Sequence, residues 1–297
     1  MEKIIILCGP TGVGKTYFSL LLAKEFDLEI INCDASQMKR YLDIGTGKSD
    51  LLDSNIPHHF INIIDPDENY SIKDFQTNAK KVITDITNSN KTPLICGGSG
   101  LYINSLIYDY DLDDDGRDSE YSNKYIDLDN HALHQVLEKL DLDKANQIHE
   151  NNRRRVLRAI ERLESGNIIK DDNTNIKYDA LIIFLNCDRS ILYERINNRV
   201  EEMINNGLVE EAKSLINRFD TDKIKDIGYS DIFKYLKGEV SLDLAKEKIK
   251  QKSRNYAKRQ LTWFKNKLDC IEVEVKYDDL ETTYNKLLSL CKEFLNK

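Results

Sequence analysis

The run Gly9-Pro10-Thr11-Gly12-Val13-Gly14-Lys15-Thr16 follows the apolar stretch Ile4 to Cys8 directly and precedes a helical pattern that begins near Tyr17. A G-x-x-x-x-G-K-T sequence set between a strand and a helix leaves little choice of fold, because that context belongs to the phosphate-binding loop of a parallel α/β domain. Its glycines let the backbone curl until the N–H groups and the helix N-terminus face an anion. Lys15 adds a point charge, and the Thr16 hydroxyl can hold Mg²⁺. Residues 9 to 16 are therefore read as a diphosphate or triphosphate site.

Short β-branched runs recur at Ile4 to Cys8, Glu29 to Cys33, Pro93 to Cys96 and Leu181 to Cys187, each followed by glycines or a polar turn and a helical pattern. Such alternation predicts an α/β fold with a P-loop NTPase-like parallel sheet and flanking crossover helices. Between His131 and Glu164 apolar residues keep helical spacing with no strand among them, which predicts a helical insertion. The expected division is a core of residues 1–110 and 179–297 and an insertion of residues 111–178. Long amphipathic helices are expected again at Ser190 to Arg218 and Leu242 to Asn266. With 297 residues the chain exceeds the usual single domain, so a domain with an insertion suits its length.

Hydrophobic residues make up 40% and charged residues 32%, with four prolines, the profile of an ordered chain. A net charge of −8 excludes a protein coated all over with positive charge for nucleic acid, so an RNA partner has to use local basic stretches. Those lie at Arg153 to Arg162 and Lys246 to Lys267, whereas acidic residues crowd Asp109 to Glu120. The six cysteines form no CxxC pair and suit small buried hydrophobes in a reducing compartment better than zinc ligands or disulfides. The apolar run after Met1-Glu2-Lys3 is too short for a signal peptide or a membrane span, so a cytoplasmic protein with no membrane partner is expected.

Outside the P-loop, Asp34 ends the second strand run. In a doubly wound sheet that places it by the loop at the carboxyl edge, where ligands bind. A carboxylate there can anchor substrate, coordinate metal through water or accept a proton, and a solvated turn aspartate explains it equally well. Cys96-Gly97-Gly98-Ser99-Gly100 is a second glycine-rich turn, in which Ser99 can donate a hydrogen bond to phosphate or sugar; a tight strand-to-helix turn needs no more explanation than that. Arg154, Arg155 and Arg158 share a helix and can face phosphates, or form a solvated basic face paired with Glu161 and Glu164. His58 and His59 lack ligand spacing and receive no chemistry.

Taken together these residues resemble the tRNA dimethylallyltransferase, or tRNA isopentenyltransferase, family. The likeness runs through Asn32 to Gln37, Asp43-Ile44-Gly45-Thr46-Gly47-Lys48, Pro57-His58-His59, Gly97 to Tyr102 and Ile148-His149 with Asn151 to Arg155, Arg158, Ala159 and Glu161. It continues through Leu192 to Ile196, Arg199-Val200, Gly207-Leu208, Ile227-Gly228-Tyr229 and Arg254 to Phe264, and so covers residues 4 to 264. Ala35 and Ser36 replace the family's usual serine and hydrophobic residue, and Ser99 keeps the hydroxyl of its threonine. The acidic Asp109 to Glu120 stretch stands where the family has a proline-rich entry to the insertion. No cysteine–histidine spacing follows Phe264, so the zinc finger of some eukaryotic members is missing.

The resemblance implies that Gly9, Pro10, Thr11, Gly12, Val13, Gly14, Lys15 and Thr16 hold the diphosphate of dimethylallyl diphosphate, with Mg²⁺ at Thr16. It implies an acceptor at the exocyclic N6 amine of the adenosine 3′ of the anticodon, with Asp34 as base and Lys15 as the other catalytic group. Contacts to the tRNA anticodon stem-loop are implied for Asp34, Ala35, Ser36, Gln37 and Ser99 and for Arg154, Arg155, Val156, Leu157 and Arg158. A monomer is the expected state. A small-molecule or nucleoside kinase is the alternative the same P-loop allows, and an RNA-binding module that senses a nucleotide is a third.

Overall fold

The computed structural model describes residues 1–108, 123–165 and 176–296; the acidic stretch Asp109 to Glu120, with Arg117, lies outside them. The chain divides into two compact units, Met1–Asp109 with Asn175–Lys297, and Tyr110–Thr174.

In the first unit the order is β1 (Lys3–Cys8), α1 (Lys15–Phe26), β2 (Glu29–Cys33), α2 (Ser49–Leu52), β3 (His58–His59), α3 (Ile72–Asn88), β4 (Pro93–Gly97) and α4 (Gly100–Ile107). The second unit holds α5 (Asn130–Leu140), α6 (Leu142–Gln147) and α7 (Arg153–Glu164). The chain then completes the first unit with β5 (Asp179–Asn186), α8 (Arg189–Asn205), α9 (Leu208–Leu215), α10 (Tyr229–Leu236), α11 (Leu242–Lys267), β6 (Ile271–Glu274) and α12 (Leu280–Leu295).

The strands form one six-stranded sheet in the order β3-β2-β4-β1-β5-β6, and every pairing is parallel. Alternate residues of each strand feed opposite faces: Ile4, Ile6, Ile31, Ile95 and Phe184 belong to one buried cluster, Ile5, Leu7, Ile30, Leu94 and Ile183 to the other. Both faces are covered, which is why these strands read as continuous apolar runs. A third cluster, with Leu42, Val200, Leu208, Tyr229 and Phe233, gathers α8 to α11. The second unit has its own core of Leu133, Leu137, Ala145, Val156 and Ile160.

Register decides what the carboxyl edge presents. Gly97 pairs with Cys8 on one side and with Cys33 on the other, so β1, β4 and β2 stop in line. The P-loop, the Gly98 turn and Asp34 therefore leave the sheet side by side. The sequence places Asp34 beside the P-loop, and the sheet refines this: β4 lies between β1 and β2, so the Gly98 turn separates the two. The helical pattern expected over Ser190 to Arg218 forms two helices, α8 and α9, parted at Gly207. No helix among the described residues is long and apolar enough to cross a membrane.

Candidate active site

Gly14, with φ 96°, turns the end of β1 into the first turn of α1, a backbone region that L-residues rarely adopt. This turn directs the unpaired amides at the start of α1 outward from the sheet. The Lys15 ammonium donates to the carbonyl oxygens of Gly9 at 2.9 Å and Pro10 at 2.8 Å, folding the loop around its own charge. Val13 is buried in the core, so only its backbone can face an anion. Thr16 and Lys15 line a cavity of about 500 Å³ that also takes in Asp34, Gln37, Arg195 and Arg199. Its volume is that of a small-molecule site.

Asp34 is held by its neighbours on both sides. The Asn32 amide, 4% exposed, donates to the Asp34 carbonyl at 3.1 Å and the Phe60 carbonyl at 2.9 Å, fixing the turn after β2. The Asp34 Oδ1 accepts the Ser36 N–H at 3.0 Å. Burial pushes the Asp34 carboxyl above its ordinary pKa, and the Lys15 charge opposes that shift. Burial likewise lowers the Lys15 ammonium, with Asp34 among the groups that oppose it. A carboxylate so poised can take a proton from a weak acid, while the lysine and loop amides can receive negative charge.

The other residues of the Asp34 segment diverge. Ala35 is exposed, the Ser36 hydroxyl donates to Asp226 at 2.6 Å, and the Gln37 amide donates to the Thr46 carbonyl at 3.1 Å. Arg199 also donates to the Thr46 carbonyl, at 3.3 Å, and Arg195 to the Gly12 carbonyl at 3.1 Å. Glu211 collects the amides of Asp43, Ile44 and Gly45, and the buried Tyr229 hydroxyl donates to Glu211 while accepting from Gly45 N–H at 3.0 Å. The sequence motif Asp43 to Lys48 is thus a loop built onto α9 and α10. Ser99 stands at the start of α4 after the Gly98 turn, its N–H donating to the Cys33 carbonyl at 3.2 Å. Burial and the nearby Asp34 charge push the Tyr256 phenol up to about 12.

In the second unit α7 carries the basic run. Arg154, Arg155 and Arg158 are exposed, and none of them is ion-paired among the described residues. Glu164, the partner that helical spacing suggests for them, pairs instead with Lys124 at 2.7 Å. Arg153 is spent on the fold, donating to the carbonyls of Leu128 and Tyr125. Val156 requires a correction: it is fully buried in the core of this unit, so it supports the helix from behind and has no side-chain surface for RNA. Leu157 is partly buried against that core. The second basic stretch is partly ion-paired. Lys246 and Lys250 pair with Glu201 and Lys252 with Asp231, and Arg254 donates to Asn197, while Lys258 and Arg259 remain exposed.

Sequence reasoning gave no role to Asp226 or Gln260. Asp226 adjoins the Ile227-Gly228-Tyr229 run and Gln260 lies inside the Arg254 to Phe264 run, so placement beside or within those motifs is the available signal. For Mg²⁺, no group of three or more His, Cys, Asp or Glu among the described residues forms a cage for a metal. Mg²⁺ is ordinarily held by one or two protein oxygens together with substrate phosphates. The Thr16 and Asp34 oxygens lining this cavity fit that mode.

Comparison with known proteins agrees with this geometry. The IPP transferase family model matches residues 37–267. A tRNA dimethylallyltransferase of Staphylococcus saprophyticus is 44% identical over 285 residues, covering 90% of this chain and 90% of the relative. The crystal structure of the tRNA isopentenylpyrophosphate transferase of Bacillus halodurans superposes with a TM-score of 0.72 at 38% identity, over 100% of this chain and 99% of that one. A eukaryotic dimethylallyltransferase captured acting on tRNA gives a TM-score of 0.84 at 28% identity, over 100% of this chain and 80% of that one. The chain belongs to the IPP transferase family.

Proposed function

We propose that the protein transfers a dimethylallyl group from dimethylallyl diphosphate to the N6 amine of the adenosine 3′ of the anticodon in tRNA, releasing diphosphate. One observation carries the reading: the P-loop, with Lys15 and Thr16, and the carboxylate of Asp34 line the same cavity. An anion site and a base facing one space are what substitution at an allylic diphosphate requires. The allylic C–O bond breaks and its electrons leave with the diphosphate, where Lys15 and the loop amides receive the charge. The amine nitrogen forms the new C–N bond, and its proton passes to Asp34.

Thr16 would hold a Mg²⁺ ion, which would supply further neutralisation of the leaving group. Gln37 and Ser99 contact the extruded adenosine, and the exposed face of Arg154, Arg155 and Arg158 meets tRNA phosphates. Unstacking the base costs a few kcal/mol and is cheapest in a loop. The protein acts as a monomer in the cytoplasm, a compartment its six free thiols suit.

The kinase alternative shares the P-loop and is separated by its donor. Diphosphate release that requires both tRNA and dimethylallyl diphosphate supports prenyl transfer. Consumption of ATP with phosphate transfer, and none of the allylic donor, would replace the proposal with a kinase.

A further inference from the structure

Gln260 joins the P-loop, which lines the cavity, to the Gly98 turn, which begins beside the cavity-lining Gly97. Its side chain lies in a residue only 5% exposed; Oε1 accepts the Thr11 N–H at 2.8 Å, and Nε2 donates to the Gly98 carbonyl at 2.9 Å. The amide has one orientation open to it, because a backbone N–H can only donate and a carbonyl can only accept. Flipping it would break both bonds at once.

The same face of α11 is fitted to the Gly98 turn over two helical turns. Residues 256, 260 and 263 follow i, i+4, i+7 spacing. A methyl group on Gly98 would fall 2.1 Å from Gln260 Nε2, and one on Gly100 would fall 2.1 Å from the Trp263 ring, while Tyr256 holds the remaining position of that face. The turn therefore rests directly on the helix, with Gln260 extending the contact to the P-loop. By occupying the Thr11 amide, Gln260 holds the curvature of the loop independently of any anion, while the amides at the start of α1 still face the cavity.

We infer that Gln260 is a positioning residue that sets the diphosphate loop in register with the Ser99 turn and so couples donor binding to acceptor binding. The inference rests on the prenyl-transfer reading for the names of the two ligands. Its physical core is that one rigid amide spans both sites, so movement of either loop on binding is felt by the other. Alignment of the reacting atoms depends on that register, and small misplacements cost rate more than affinity.

Gln260→Met keeps length and apolar bulk and removes both bonds; Gly98→Ala leaves Gln260 in place and pushes its amide off the turn. For both variants and wild type, thermal melting, kcat and both KM values are measured, together with the Kd of inorganic pyrophosphate with and without a saturating anticodon stem-loop RNA. In wild type the RNA is expected to tighten pyrophosphate binding at least about fivefold. In either variant that linkage falls below about twofold and kcat drops about a hundredfold, with each KM changed less than about tenfold. If folded Gln260→Met or Gly98→Ala keeps kcat and the linkage within twofold of wild type, Gln260 is a packing residue and the inference is overturned. Should Gln260→Met not fold, Gly98→Ala decides alone. A wild-type protein that transfers no prenyl group defeats the functional reading instead, and the pyrophosphate–RNA linkage still tests Gln260.

Discussion

The Ser36 hydroxyl donates to Asp226 Oδ1 at 2.6 Å across a sequence separation of 190 residues, and the Lys39 ammonium meets the other oxygen of the same carboxylate at 2.8 Å. The segment after β2 that carries Asp34 and Gln37 is thereby pinned from the loop preceding α10. Asp226 is 9% exposed and Lys39 is 15% exposed, so the pair is largely withdrawn from water.

Asp226→Ala removes both anchors and strands the Lys39 charge, which should cost about 1–3 kcal/mol of stability, the usual range for a buried polar group losing its partner. Because the segment bears residues proposed to meet the adenosine, KM for tRNA should rise about tenfold while KM for the donor stays near wild type. Thermal melting and steady-state kinetics with each substrate varied check this; a lower melting temperature with both KM values unchanged would assign Asp226 to stability alone.

Lys15→Ala should lower turnover about a hundredfold, the usual cost of losing one preorganised group that stabilises developing negative charge. tRNA affinity should change little, since the ammonium is bound to its own loop at Gly9 and Pro10. Turnover and tRNA binding measured on the same preparation test it, and unchanged turnover would remove the P-loop assignment.

Asp34→Asn keeps the shape and the acceptor for Ser36 N–H and removes the charge. Single-turnover transfer should slow by about a hundredfold or more at near-normal binding of both substrates. Stability should move the other way. Burial raises the Asp34 carboxyl above its ordinary 3.8 despite Lys15, so the folded state favours the protonated form. Above the folded pKa the wild type bears the cost of a buried charge that asparagine does not, and the difference vanishes as pH falls below the unfolded value. Asp34→Asn is thus expected to melt no lower than wild type at neutral pH and to lose any advantage in acid. The wild-type rate profile should have an acid limb shifted upward from the 3.8 of a free aspartate, since burial raises Asp34, and an alkaline limb below the 10.5 of free lysine, since burial lowers Lys15.

What could be read from the sequence followed from local chemistry. The P-loop, the strands ending in Cys8, Cys33 and Cys96, and the helix bearing Arg154 and Arg158 each announce themselves through residues adjacent in the chain. The two-residue strand His58–His59 carries no period to detect, and Ile271–Glu274, exposed at three of its four residues, lacks the apolar run that marked the central strands. The roles of Asp226 and Gln260 depend on partners 190 and 249 residues away, a separation that no local pattern encodes. Val156 sits among the arginines in sequence, but helical geometry sets it about 100° from Arg155 and about 160° from Arg154 and Arg158, and so turns it into the core.

Arg154→Ala with Arg158→Ala should weaken tRNA binding and flatten its dependence on salt, by about 2 in the slope of log K against log salt if each guanidinium meets one phosphate. Both side chains are exposed, so melting should be unaffected. A slope equal to wild type would show that this face meets solvent only.

The most direct test is nucleoside mass spectrometry of tRNA incubated with the protein, dimethylallyl diphosphate and Mg²⁺, with a parallel sample in which the adenosine 3′ of the anticodon is replaced. The account predicts that this adenosine gains one five-carbon unit on its N6 nitrogen, that the replaced tRNA gains none, and that Asp34→Asn forms the product far more slowly. An unmodified adenosine in the complete mixture with wild-type protein would contradict it.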